Sequence, residues 1–181
     1  MNKKKVIIII LVVLLLLQQG IHMVKDNYQL GNDLHRTSQK MAHRCFMLTD
    51  SIAYLQEKFD SGDLDDLDHT RRSFDQALSS CWSWFGDNDM PIRNEVRSEY
   101  GGQIMDLFHL CANDSDNKRL IELFTDEKKS CELANLKEQL ELMTETLTDF
   151  CDRYGEIPIW KRYFVSWGRE REALTEKLRI P

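Results

Sequence analysis

Three consecutive lysines and the apolar run behind them constrain this chain more than anything that follows. Lys3, Lys4 and Lys5 precede residues 6–17, every one of which is Val, Ile or Leu. After Gln18, Gln19 and Gly20 the hydrophobic tendency resumes at Ile21, Met23 and Val24. Such a segment reads either as the core of a cleaved signal peptide or as a membrane span. Residues 18–23 lack the pair of small residues, two apart, that signal peptidase needs. Over residues 6–24 the segment makes a helix of about 28 Å, close to the hydrocarbon thickness of a bilayer. The expectation is an uncleaved signal anchor: residues 1–5 a cytoplasmic tail, 6–24 a transmembrane helix, and 25–181 one extracytoplasmic domain. The lysines set this orientation, because basic residues stay on the cytoplasmic side. In a bacterium the chain would be a single-pass protein of the inner (cytoplasmic) membrane, with its bulk in the periplasm. A five-residue tail is no signalling module, which argues against a sensor with its own kinase but not against a subunit that signals through a partner's helix.

Without the three lysines the rest of the chain carries 21 basic against 30 acidic side chains, a net charge of −9. That balance repels nucleic acid and anionic lipid headgroups and favours basic partners.

The exported part reads as helices throughout. Leu30, Leu34, Met41, Cys45, Leu48, Ile52, Leu55 and Phe59 recur at steps of three, four or seven, a helical stripe that Ser61-Gly62-Asp63 breaks. A second stripe runs through Leu64, Leu67, Phe74, Leu78, Cys81 and Phe85 to the turn Gly86-Asp87-Asn88-Asp89. Pro91 suits the first turn of a third helix, with Ile92, Val96, Tyr100, Ile104 and Cys111 on its core side. Residues 112–130 form an excursion containing a short helix around Leu120 and Phe124. A longer helix then covers Leu133, Leu136, Leu140, Met143, Leu147, Phe150 and Tyr154, stopped by Gly155 and Pro158. A last helix presents Trp160, Tyr163, Phe164 and Trp167 at core spacing, followed by Leu174 and Leu178. No apolar and polar residues alternate as a strand requires. The expected fold is therefore all-α: an N-terminal transmembrane helix followed by an antiparallel bundle of four to five helices, the first of which can run straight out of the membrane.

Disulfides are the default for cysteines in an oxidising compartment, and no two of the five stand at zinc-ligand spacing. Cys45 lies 18 residues before Asp63 and Cys81 lies 18 after it, so a hairpin turning there brings both to one height. Cys45–Cys81 is the first expected bridge and Cys111–Cys131, closing off residues 112–130, the second. Cys151 is left as a buried thiol or as the link of a homodimer.

No chemistry-bearing motif is specific. The His43-Arg44-Cys45 and His109-Leu110-Cys111 pairs cannot share a metal on a helix, where residues two apart point about 200° from one another. Asp66 with His69 and Asp106 with His109 imitate di-iron spacing but read as solvated faces. Asp60, Asp63, Asp65, Asp66 and Asp68 crowd the first turn without the glycine and final glutamate of a calcium loop, and acids at a helix start are favoured by its dipole. Asn113-Asp114-Ser115 is a glycosylation triplet. With no catalytic, cofactor or metal signature, the chain reads as a non-enzyme needing no cofactor. The candidate partner-binding residues are Trp82 and Trp84, which leave opposite sides of a helix end, and the acids Asp63, Asp65, Asp66 and Asp68.

The expected function is a membrane-anchored periplasmic module that binds another, basic, extracytoplasmic protein, for instance as an inhibitor or immunity protein acting on a toxin or hydrolase. Two alternatives stand beside it. One is a structural subunit of an envelope or secretion machine, and the other is a helical ligand sensor signalling through a partner.

Overall fold

The computed structural model describes residues 3–85, 94–112 and 117–179. The turn at residues 86–89, Pro91 and Ile92, and the triplet Asn113-Asp114-Ser115 lie outside the described residues, as do the side chains of Trp84 and Val96. Among those described there is no strand, and seven helices follow one another.

The first, α1 (Lys3–Ser61), is a single helix of 59 residues and about 88 Å. No proline occurs before Pro91, so nothing interrupts its hydrogen-bond ladder. Residues 7–24 are exposed all round, and this stretch is long and apolar enough to cross a bilayer. From residue 27 onward the same helix becomes one-sided. Leu34, Met41, Cys45, Leu48, Ile52 and Leu55 are buried, as their spacing predicts. Gly62 ends it with a φ of +69°, the left-handed conformation that closes a helix and that glycine adopts without strain.

Helix α2 (Leu67–Phe85) returns antiparallel, placing Arg44 where its guanidinium donates to the Ser80 carbonyl at 3.1 Å. Next come α3 (Asn94–Ala112), α4 (Lys118–Thr125) and α5 (Glu127–Glu156). Asp126 alone separates α4 from α5, and its carboxylate caps α5 by accepting from the Lys129 amide at 3.0 Å. Leu133, Leu136, Leu140, Met143, Leu147, Phe150 and Tyr154 are buried, while Leu142 among them is exposed, and α5 packs on α1. The helix ends at Glu156, between Gly155 and Pro158, as those two residues predict.

Helix packing follows chain order, with α1 against α2 and α5, and α2 against α3. Contacts between α3 and α5 are sparse, and α4 bridges them instead.

The predicted last helix is in fact two, α6 (Ile159–Arg162) and α7 (Trp167–Lys177), parted by a turn at residues 163–166. The break changes what the aromatic residues do. Trp167 is buried, whereas Trp160 is 64% and Phe164 76% exposed, so these two are not the core residues their spacing suggests.

Trp167 lies flat against α1 at Gly31 and donates from Nε1 to the Arg162 carbonyl at 2.8 Å. A Cβ on Gly31 would stand 2.5 Å from the indole ring, a distance no side chain tolerates. Around this contact Tyr154 is packed between His35, stacked at 4.3 Å, and the Arg162 guanidinium, 4.2 Å from its ring centre. Its hydroxyl is hydrogen-bonded to Asn32. Burial, and then the nearby Arg162 charge, hold the His35 imidazole below its ordinary pKa.

Two glycine substitutions test this contact. Gly31→Val is expected to cost about 2 kcal/mol or more through overpacking against Trp167. Gly155→Ala, where a Cβ meets open space, should be neutral or stabilising by up to about 1 kcal/mol. Thermal unfolding of the full chain in detergent reads both, and a Gly31→Val protein as stable as the parent would refute the contact.

Candidate functional site

The acidic turn and Trp82, each a candidate for partner binding by sequence, are separated in space. Trp82 sits half-buried against the core, 15 residues and about 22 Å along α2 from Leu67, where the acidic turn ends. The acids themselves have local duties. Asp63 pairs with Lys58, and that hydrogen bond and charge hold its carboxyl below the usual range. Asp66, at a φ of +64°, offers its carbonyl to the amides of His69 and Thr70 and so starts α2. Asp68 accepts from Asn117, which in turn accepts from Arg71 at 2.7 Å, tying the start of α2 to the start of α4. Asp65 is exposed.

The cysteines divide by environment. Cys45 and Cys81 are both buried and close enough to share a hydrogen bond, and Cys45 also donates to the Met143 sulfur at 3.6 Å. The contact with Cys81, then burial, push the Cys45 thiol up. The height match read from the turn is thus present, but all five cysteines are free, with no two sulfurs at bonding distance. Cys111 is buried and Cys131 exposed, so the second expected pair stands in opposite surroundings. Cys151, raised to about 11 by burial and by Asp152, is half-buried and donates weakly to the His35 carbonyl.

Among the described residues no three His, Cys, Asp or Glu side chains gather as a metal site. His43, His69, Asp106 and His109 are all exposed.

Two concave features stand out among the described residues. One is a cleft of about 440 Å³ where α3 and α5 fail to close. Leu107, Leu110, Leu123, Leu133 and Leu136 line it, and Asp106, Glu132 and Lys129, the last paired to Glu122 at 2.7 Å, form its rim. The Gln139 side-chain oxygen is buried there without a hydrogen-bond partner.

The other is a shallow groove along the solvent side of the α1 and α5 pair, two hollows of about 430 and 340 Å³ that share Phe46, Thr144 and Thr148. Phe46 is 53% exposed at its centre. The hydroxyls of Thr49, Thr144 and Thr148 are satisfied by carbonyls of their own helices, so the floor offers a partner mainly apolar surface. Asp50, Glu141, Glu145, Asp149 and Asp152 edge it. Lys137 is the cation on that edge, and it lies 3.6 Å from Glu141. Cys151 sits at the end nearer the apolar segment. Sequence reasoning passed over this surface because its floor is threonine and its acids are scattered at helical spacing; an exposed Phe46 next to the core position Cys45 was the one available sign.

Comparison with known proteins finds no protein family, no curated protein and no solved structure that matches this chain.

Proposed function

We propose that the protein is a membrane-tethered, extracytoplasmic binding module that holds a basic segment of another protein in the groove between α1 and α5. The observation that carries this is Phe46, a large apolar side chain left in water between two acid-lined helices. An exposed aromatic over an apolar floor is the usual anchor of an interface, and flanking carboxylates speed and select a cationic partner. The apolar first third of α1 supports tethering, and the lysines before it support export of the rest. A restraining role, as an inhibitor or immunity protein against a basic toxin or hydrolase, is the concrete form of this reading. It favours the groove over the acidic turn, whose carboxylates already serve the α1–α2 connection.

The test is a photo-crosslinker placed at Phe46 of the full chain in its native membrane. It should capture a protein whose contacting peptide is rich in Lys and Arg. Phe46→Ala should weaken binding of that partner about thirtyfold, the effect of losing about 2 kcal/mol. Glu141→Lys with Glu145→Lys should weaken it further and remove its salt dependence. A captured partner that is acidic, or one indifferent to charge reversal, would end the proposal.

Export has a second consequence in the core. In an oxidising compartment the adjacent thiols of Cys45 and Cys81 close to a disulfide, joining the two arms of the antiparallel pair formed by α1 and α2 and contributing about 2–4 kcal/mol. Mass spectrometry of protein purified from its membrane without reductant should recover these two cysteines in one linked peptide pair. Recovery of both as free thiols would place the domain in a reducing compartment.

A second reading, that of a ligand sensor, is favoured by the leucine-lined cleft and the orphan oxygen of Gln139. It expects a small apolar molecule carrying one hydrogen-bond donor to raise the melting temperature of the native chain but not of Gln139→Leu. Equal shifts in both proteins would discard it.

A further inference from the structure

The turn carrying α6 sits where α1 leaves its apolar segment. As α1 rises from that segment α5 descends beside it, with Met143 opposite Cys45 and Tyr154 opposite His35. The chain that follows α5 therefore arrives at the level of Asn27, whose side-chain amide donates to the carbonyls of Val165 at 2.7 Å and Tyr163 at 3.3 Å. Tyr163 also stacks on Tyr28 at 4.1 Å. Asn27 is three residues past Val24, about 4.5 Å along the helix. The polar layer on each face of a bilayer is about 5–7 Å deep. The turn thus lies within that layer when α1 spans the membrane.

At this place the domain presents three large apolar side chains to the outside: Ile159 at 65%, Trp160 at 64% and Phe164 at 76% exposure. They are not the remains of a loosely packed core. Tyr163 and Trp167 are held by stacking and hydrogen bonds around Phe164, and Arg162 donates to the Ile157 carbonyl at 2.8 Å across Ile159 and Trp160, so the backbone is fixed with these three exposed. Lys161 lies 5.3 Å from the Trp160 ring, pairing a cation with an amphipathic aromatic. Tryptophan beside lysine at headgroup depth is the composition of a membrane interface.

We infer that Ile159, Trp160 and Phe164 insert into the headgroup and upper acyl region of the leaflet from which α1 emerges, giving the domain a second contact with the membrane. The lipid is the occupant because the patch stands at the level where the apolar segment of α1 ends. This rests on α1 crossing the bilayer, and the experiment separates the two.

The full chain is reconstituted into phosphatidylethanolamine and phosphatidylglycerol vesicles whose acyl chains are either ordinary or brominated. Bromine quenches only tryptophans at or within the lipid. Brominated vesicles should dim the native chain, and Trp160→Phe, a conservative change at an exposed site, should abolish most of that dimming. Equal dimming in both proteins, with the chain still floating with the vesicles, would overturn the insertion and leave the span intact. A Trp160 that is shielded from aqueous acrylamide yet blind to bromine would place a second copy of the chain over the turn, and overturn it too. A chain that does not float with the vesicles would remove the span and the insertion together.

Discussion

The structure depends on one unbroken ladder of backbone hydrogen bonds, that of α1. A helix with no proline and no inserted residue resists bending, because each kink leaves donors and acceptors unpaired. This helix passes from a segment apolar on every side to one apolar along a stripe, with no joint between. The two halves suit different solvents, yet one fixes the direction of the other. Helices α2, α5 and α7 lie against the striped half, α4 reaches it where Phe124 stacks on Phe59, and α3 is joined to it through α2. What the apolar half does in a membrane is therefore imposed on the whole domain.

The lower end of the domain shows how that rigidity is kept. Gly31 has no side chain, and the space this leaves is filled by Trp167. Trp167 in turn fixes Arg162, whose guanidinium covers Tyr154, which is hydrogen-bonded back to Asn32. The cycle closes on α1 within a single turn of helix. Arg162 also donates from Nε to the Ile157 carbonyl at 2.8 Å, holding the corner at Pro158. A short interhelix connection is thus as well anchored as the helices it joins, which is unusual for a loop.

Much of this was legible in the residues alone. The stripes of α1, α2 and α5 are single-period and most of their positions are buried, because burial on one helical face leaves a signal at every third or fourth residue; Leu64, read as the start of the second stripe, is instead exposed in the turn before α2. The equal heights of Cys45 and Cys81 followed from locating one turn. The failure at Trp160 and Phe164 has a definite cause. Periodicity assumes a continuous helix, and the turn at residues 163–166 resets the phase, so side chains that share a face on paper diverge in space. At the acidic turn the sequence left something else out. Composition counts carboxylates without showing that Asp63 and Asp68 are already bonded to Lys58 and Asn117. The groove was invisible because two helices distant in sequence each supply half of it.

With the apolar segment of α1 placed in a bilayer, the height of this helix also decides which electrostatic field each part of the domain feels. Phe46 stands 22 residues beyond Val24, about 33 Å up the helix, and Ser61 about 55 Å. In physiological salt a charged bilayer's potential fades over about 8 Å. The carboxylates around Phe46 are several such lengths away, so an encounter there responds to the charge of the incoming molecule and not to whether the leaflet below is anionic or neutral.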